Sequence, residues 1–77
     1  MQNTNDIYFA GYVMAKGNQL AKTEKKTDAG KTKTIFIYDI KDEAFEVLKS
    51  EFFGGGGMVN AQQYMFALRS LKSLCFV

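Results

Sequence analysis

The sequence predicts one small α+β domain spanning residues 1–77, with an N-terminal helix, a two-stranded antiparallel β-hairpin and two C-terminal helices. Apolar residues recur at helical spacing from Asn60 to Phe76, side chains alternate as in a strand from Lys31 to Asp39, and turn residues separate these segments. Stability is expected to be marginal, because a domain near this size buries only about 60% of its unfolded surface.

The N-terminal helix is predicted from its apolar run and its ends. We expect residues 1–4 to be loose and Thr4 or Asn5 to cap the helix, because short polar side chains accept hydrogen bonds from first-turn N–H groups. The segment Ile7 to Ala15 is apolar throughout, which is typical of a buried helix. A short strand also fits such a run. We favour the helix because Gly17 supplies a stop signal.

A β-hairpin follows the first helix. Its strands are predicted at residues 19–26 and 31–39, and residues 27–30 carry the turn signal Thr-Asp-Ala-Gly. Alternation gives the second strand two faces, one with Lys31, Lys33, Ile35 and Ile37 and the other with Thr32, Thr34, Phe36 and Tyr38. Because an isolated hairpin is barely stable in water, this one must pack against helices.

Two helices complete the predicted fold. The first of them starts at Asp39 or Asp42 and runs to about Phe53, where four glycines end it. The last helix starts at Asn60, a good N-cap, and runs to Phe76. Its predicted apolar face holds Ala61, Tyr64, Met65, Leu68, Leu71, Leu74 and Cys75, and we expect Tyr64, Leu68, Leu71 and Cys75 to pack in the core. That face is also suited to a partner helix or a dimer.

Composition excludes several classes of function. The chain has no histidine and one cysteine, so Ser–His and Cys–His pairs, zinc sites of histidine and cysteine, and an internal disulfide are ruled out. No apolar run approaches the roughly 20 residues of a membrane span, and the N-terminus lacks the pattern of a signal peptide. We therefore expect a cytoplasmic protein without enzymatic activity, cofactor, metal, membrane contact or small-molecule substrate.

Three local motifs are interpreted structurally. The segment Gly30-Lys31-Thr32 resembles the end of a phosphate-binding loop, but position 25 lacks the required glycine and a strand follows instead of a helix. The acidic residues between positions 39 and 46 are explained by helix capping and solubility better than by a metal site. The run Gly54–Gly57 is interpreted as a helix end and flexible joint, with an anion-binding loop as the alternative.

The charge distribution makes the hairpin the candidate contact surface. Residues 16–33 hold six lysines against two acidic residues, whereas residues 39–51 hold five acidic residues against two lysines. Lysines on a ribbon contact phosphates without reading bases, and an exposed tyrosine stacks on an unpaired base. The predicted nucleic-acid-binding residues are Lys22, Lys25, Lys26, Lys31, Lys33 and Tyr38. Alternatively, the lysines only keep edge strands from aggregating, and nearby acidic residues would weaken polyanion binding.

Three motifs follow one another in an order that carries a family resemblance: Asn5-Asp6-Ile7-Tyr8-Phe9-Ala10, Ile35-Phe36-Ile37-Tyr38-Asp39, and Val59-Asn60-Ala61 followed by Phe66-Ala67-Leu68-Arg69-Ser70-Leu71-Lys72-Ser73. This order resembles a small bacterial and phage family catalogued as domain of unknown function 5659. The resemblance covers nearly the whole chain and implies terminal helices around a short two-stranded piece, but no activity. The basic hairpin is longer than in the family and Gly54–Gly57 replaces an aromatic turn, which puts loop geometry in doubt.

We expect a non-enzymatic binding module, such as a phage or bacterial accessory protein, whose lysine-rich hairpin contacts nucleic-acid phosphate without sequence preference. The alternative is a module for protein–protein interaction or homodimer formation. Its interface would use the C-terminal amphipathic helix and exposed aromatic side chains. The residues predicted for that interface are Tyr8, Phe53, Phe66 and Phe76.

Overall fold

The computed structural model describes residues 1–75 and confirms an α+β fold. Its elements in chain order are β1 (Gln2–Thr4), α1 (Ile7–Ala15), β2 (Leu20–Asp28), β3 (Lys31–Tyr38), α2 (Asp42–Gly54) and α3 (Ala61–Cys75). Within those residues the strands form one antiparallel sheet in the order β1-β3-β2. No helix of the described part of the chain is long and apolar enough to cross a membrane.

Strand β1 corrects the predicted two-stranded hairpin. Residues 2–4, expected to be loose, pair with the apolar half of β3, where Gln2 lies opposite Tyr38 and Thr4 lies opposite Phe36. This pairing supplies hydrogen-bond partners for backbone groups of β3 that lie beside the core, where an unpaired N–H or C=O group is costly. Three polar residues carry no strand pattern of their own, so their order depends on β3.

The β-hairpin itself is confirmed: β2 begins one residue later and ends two residues later than predicted, and β3 ends one residue earlier. Ala29 and Gly30 both have positive φ angles, of 51° and 80°. Two such residues form the type I′ connection whose twist matches that of the flanking strands. The turn is therefore two residues long, and Thr27 and Asp28 belong to β2.

Helix α1 is confirmed, but its cap differs from the prediction. The Asp6 carboxylate accepts hydrogen bonds from the backbone N–H groups of Tyr8 (2.9 Å) and Phe9 (3.3 Å). The side chain of Thr4 instead accepts from the N–H of Asp6, at 3.1 Å. The helix stops as expected at Gly17, which has a φ of 98°.

The core is built around α1, which contacts the sheet and both other helices. Phe9 packs edge-on against Phe45 of α2 with 5.3 Å between ring centroids. A side chain at Gly11 would place its Cβ 2.8 Å from Leu68 of α3, so glycine allows the two helices to approach closely. The buried cluster comprises Phe9, Ala10, Tyr12, Val13, Phe36, Tyr38, Phe45 and Leu71. All three helices therefore cover the same face of the sheet.

Helix α2 begins at Asp42, the second of the two predicted starts, and Gly55 ends it with a left-handed φ of 82°. Past the end, the N–H of Gly57 donates to the carbonyl oxygen of Glu51 at 2.9 Å. This bond satisfies a carbonyl of the last helical turn, as the helix-end interpretation requires.

Helix α3 has the predicted cap, because the N–H of Gln63 donates to the Asn60 side-chain oxygen at 3.1 Å. Of the four predicted core residues, Leu71 is buried, Tyr64 and Cys75 pack against the core and Leu68 is half-buried beside Gly11, whereas Met65 and Leu74 of the apolar face are exposed. Each residue turns a helix by about 100°, so Met65 lies about 120° from Leu71 and points away from the buried row. Phe76 lies outside the described residues.

Candidate functional site

The sheet has one face covered by helices and one that no described element covers. Phe36 and Tyr38 of β3 point into the core, so the residues that alternate with them point outward. The β2 residues that lie opposite these outward-pointing residues of β3 point to the same side of the sheet. We call this side the open face; it is formed by Lys22, Glu24, Lys26, Asp28, Lys31, Lys33, Ile35 and Ile37. Four of the five predicted lysines lie on it.

Three lysines gather at the outer end of the open face. Lys26 lies directly opposite Lys33, while Lys31 lies diagonally from Lys26 and opposite Asp28. Side chains directly opposite across antiparallel strands have Cβ atoms only about 4.5–5.5 Å apart, and like charges at this spacing are destabilising. We call Lys26, Lys31 and Lys33 the lysine cluster.

The lysine cluster has no ion-pair partner within residues 1–75. The ion pairs formed there join Lys22 to Glu24, at 3.3 Å, and Lys49 to Glu46, at 3.9 Å. Both pairs are exposed to solvent and contribute little stability. The ammonium groups of the lysine cluster therefore remain available to an external anion.

Lys25 lies apart from the other predicted lysines. It points to the covered side of the sheet, where its Nζ donates a 2.8 Å hydrogen bond to the backbone carbonyl oxygen of Cys75. A cation at the carboxyl end of a helix stabilises the unpaired carbonyls and the negative end of the helix dipole. Lys25 therefore connects the hairpin to α3.

Tyr38 corrects the sequence prediction. Its side chain is 0% exposed, and its hydroxyl donates a 2.7 Å hydrogen bond to the carbonyl oxygen of Ala10. Burial also raises the pKa of this phenol above its ordinary value. A ring enclosed by helices cannot stack on a base, so the open face offers no aromatic side chain.

The acidic residues of α2 are separated from the lysine cluster. Strand β3 connects them, and its eight residues span about 26 Å between the outer turn and the base of the sheet. At that base, the side chain of Gln2 donates a hydrogen bond to Asp42 at the start of α2. Exposed charges more than about 10 Å apart are screened at ordinary salt concentrations. The first turn of α2 is thus too distant to offset the lysine cluster.

Of the residues predicted for a protein interface, three are exposed on three different helices: Tyr8 (55%) on α1, Phe53 (61%) on α2 and Phe66 (53%) on α3. The Phe53 ring still packs against Phe9, with 5.4 Å between centroids. Phe66 lines two shallow depressions, one on either side of its ring. Phe76, the fourth predicted residue, lies outside the described part of the chain.

Sequence reasoning missed one member of the exposed surface of α3. Met65 was placed on the apolar face together with the core-packing residues, but it is exposed and lines a depression together with Phe66 and Arg69. The signal was present in the sequence. Leu68 and Leu71 define the packed row, and Met65 is rotated by about 60° from Leu68 and about 120° from Leu71 around the helix axis, on the side of Arg69.

The glycine run packs as part of the helix end. A Cβ atom on Gly57 would lie 2.5 Å from the hydroxyl oxygen of Tyr12, whose ring is buried beneath the loop. The same hydroxyl donates to the Glu51 carboxylate at 2.7 Å. Glycine is therefore required at position 57 for close packing. Within residues 1–75, no three Asp, Glu or Cys side chains group closely enough to hold a metal ion.

Comparisons of the chain with protein-family models, with curated proteins and with solved structures found no match. The resemblance to domain of unknown function 5659 accordingly stays a prediction. A function is therefore assigned from the chemistry of two exposed surfaces, the lysine cluster and the outward side of α3.

Proposed function

We propose that this protein is a non-enzymatic binding module that contacts nucleic-acid phosphate through the lysine cluster. The observation that carries the proposal is the placement of Lys26 directly opposite Lys33. This pairing costs stability in the free protein, and a phosphate between the two ammonium groups would offset that cost. The proposal that the protein is not an enzyme rests on composition, because a chain without histidine lacks the commonest general base.

Protection of the strand edges does not require this arrangement. A lysine opposite a glutamate would also discourage pairing with another chain, and it would do so without repulsion. An opposite-charge arrangement occurs two residues further along the strands, where Asp28 lies opposite Lys31, although their side chains do not form an ion pair. The like-charge pair at Lys26 and Lys33 is thus better explained by an anionic partner.

The binding test compares two variants with the same net charge. The first, Lys26→Gln/Lys31→Gln/Lys33→Gln, removes the lysine cluster. The second removes three lysines elsewhere, at Lys16, Lys49 and Lys72. Fluorescence anisotropy with labelled DNA at several salt concentrations should show salt-sensitive binding by the unmodified protein. Removing the lysine cluster should reduce the slope of log affinity against log salt by up to about 2.7, at about 0.9 per phosphate contact.

The control variant should retain most of the slope. Equal losses in the two variants would mean that net charge alone governs binding, which contradicts a site. Absence of binding by the unmodified protein at low salt would also overturn the proposal. The resemblance described above is consistent with a phage or bacterial accessory protein acting in the cytoplasm of its host.

A second candidate function is self-association or protein binding through the outward side of α3. Adjacent apolar side chains, Met65 and Phe66, are both exposed there. If a homodimer forms through this surface, Phe66→Ser should shift the mass in light scattering from dimer to monomer. Val47→Ser, at an exposed apolar position of α2, is the matched control and should leave the mass unchanged. An unmodified protein that stays monomeric at high concentration would exclude the homodimer.

A further inference from the structure

We infer that the partner of the lysine cluster is double-stranded DNA, and that the outer part of the hairpin enters its major groove. This inference rests on the phosphate-binding function proposed above and specifies the class of nucleic acid. Three observations support duplex DNA as the partner: the shape of the hairpin, the positions of the lysines on it, and the absence of an aromatic side chain on the open face.

The outer hairpin is an exposed two-stranded ribbon that contacts α3 through Lys25. Every residue from position 24 to position 33 is exposed, on both faces of the sheet. Strand β1 pairs only with residues 36–38 of β3, so within residues 1–75 this outer part has no third strand. We call residues 24–33 the arm. Its residues 26–33 project beyond Lys25, whose Nζ bonds the carbonyl oxygen of Cys75 at the end of α3.

The arm has the dimensions of a groove-binding element. Two strands lie about 4.8 Å apart, and five residues of strand extend about 17 Å. The major groove of B-form DNA is about 12 Å wide and admits a two-stranded β-ribbon. The major groove of duplex RNA is too deep and narrow for side chains to enter, so the arm fits DNA better.

The lysine positions match a groove with two charged walls. Lys26 is on β2 and Lys33 is on β3, so the two side chains leave the ribbon from different strands on the same face. In a major groove, one of them faces the phosphates of one DNA strand and the other faces those of the opposite strand. A single-stranded nucleic acid presents one line of phosphates and makes no use of a lysine pair that spans the ribbon.

The apolar residues of the open face also disfavour a single strand. Proteins that hold unpaired bases stack them on aromatic side chains. The open face offers Ile35 and Ile37 instead, and the nearest aromatic residues of β3, Phe36 and Tyr38, are buried on the other side. Paired bases need no stacking platform, so a duplex is the better partner.

The experiment measures the affinity of the full-length protein for three labelled probes of one sequence: duplex DNA, single-stranded DNA and duplex RNA. At 0.15 M salt we expect duplex DNA to bind most tightly. Methylation of guanine N7 by dimethyl sulfate, which occurs in the major groove, should be reduced in the complex. Equal or tighter binding of either other probe, or unchanged methylation, would overturn the inference while leaving phosphate binding intact. Failure to bind any probe would overturn the proposed function as well.

A variant of unchanged composition tests the geometry directly. Exchanging two neighbours, Thr32→Lys/Lys33→Thr, keeps the net charge and moves one lysine to the opposite face of the arm. Loss of one phosphate contact should weaken duplex binding about fivefold at 0.15 M salt. The control, Thr27→Ala on that opposite face, should bind as the unmodified protein does. An unchanged affinity of the exchange variant would show that the face of the arm is irrelevant and would overturn the inference.

Discussion

The hydroxyl of Tyr38 donates a 2.7 Å hydrogen bond to the carbonyl oxygen of Ala10, in the centre of α1. Both residues are completely buried, so this polar contact lies inside the core. A buried hydroxyl without a partner costs free energy, and here the helix backbone supplies the partner. The bond fixes the position of β3 under α1 and thereby turns the alternate residues of β3, which include the lysines, outward.

Replacing Tyr38 with phenylalanine should lower the free energy of unfolding by about 1 kcal/mol, because the ring still fills its site but the hydrogen bond is lost. Urea denaturation followed by circular dichroism measures this change. Tyr64→Phe is the control, since the Tyr64 hydroxyl bonds the carbonyl oxygen of Tyr8 at the surface, where water can replace it. Equal effects of the two substitutions would contradict a special role for the buried bond.

The same burial predicts loss of stability at alkaline pH. Burial raises the folded-state pKa of Tyr38 above its unfolded value of about 10. The unfolded chain therefore releases this proton first as pH rises, so the contribution is complete below pH 10 and is lost between the unfolded and folded pKa values. Denaturation at pH 8 to 11 should show the free energy of unfolding falling past pH 10. The fall should be smaller in Tyr38→Phe. If the free energy of unfolding depends on pH identically in the two proteins, Tyr38 is not the group responsible.

Two neighbouring glycines should respond differently to substitution. In Gly57→Ala the new Cβ would meet the Tyr12 hydroxyl at 2.5 Å, and Tyr12 is held by its hydrogen bond to Glu51. Relief of this overlap should cost about 1–3 kcal/mol of stability. Gly56→Ala meets nothing within 4 Å and should be neutral or stabilising by up to about 1 kcal/mol. Thermal denaturation of both variants checks the contrast, and a stable Gly57→Ala protein would show that the loop is a loose joint.

The cap of α1 gives a fourth prediction. Asp6→Ala removes the acceptor for the N–H groups of Tyr8 and Phe9 and should cost about 1 kcal/mol. Asn5→Ala, at the neighbouring exposed residue that was one of the two predicted caps, should change stability by less than about 0.5 kcal/mol. A denaturant titration distinguishes the two variants. A larger loss of stability in Asn5→Ala than in Asp6→Ala would identify Asn5 as the cap.

Local patterns in the sequence were sufficient for most of the secondary structure. Helix α1, the hairpin, the end of α2 and the start of α3 follow from apolar spacing, glycines with positive φ and Asn60 as a cap. These signals act within a few residues, because capping and turn formation depend on nearby backbone groups. The same local logic failed for β1, since three polar residues become a strand only when β3 is already in place to pair with them.

Alternation in β3 was enough to show that Phe36 and Tyr38 share one face and Lys31 and Lys33 the other. It did not show which of these two faces the helices would cover. Tyr38 is buried because the helices cover its face. The bond from Lys25 to Cys75 joins residues 50 positions apart, and no local pattern specifies it. Periodicity determines which side chains lie together, whereas tertiary packing determines what covers them, because burial depends on contacts between segments distant in the chain.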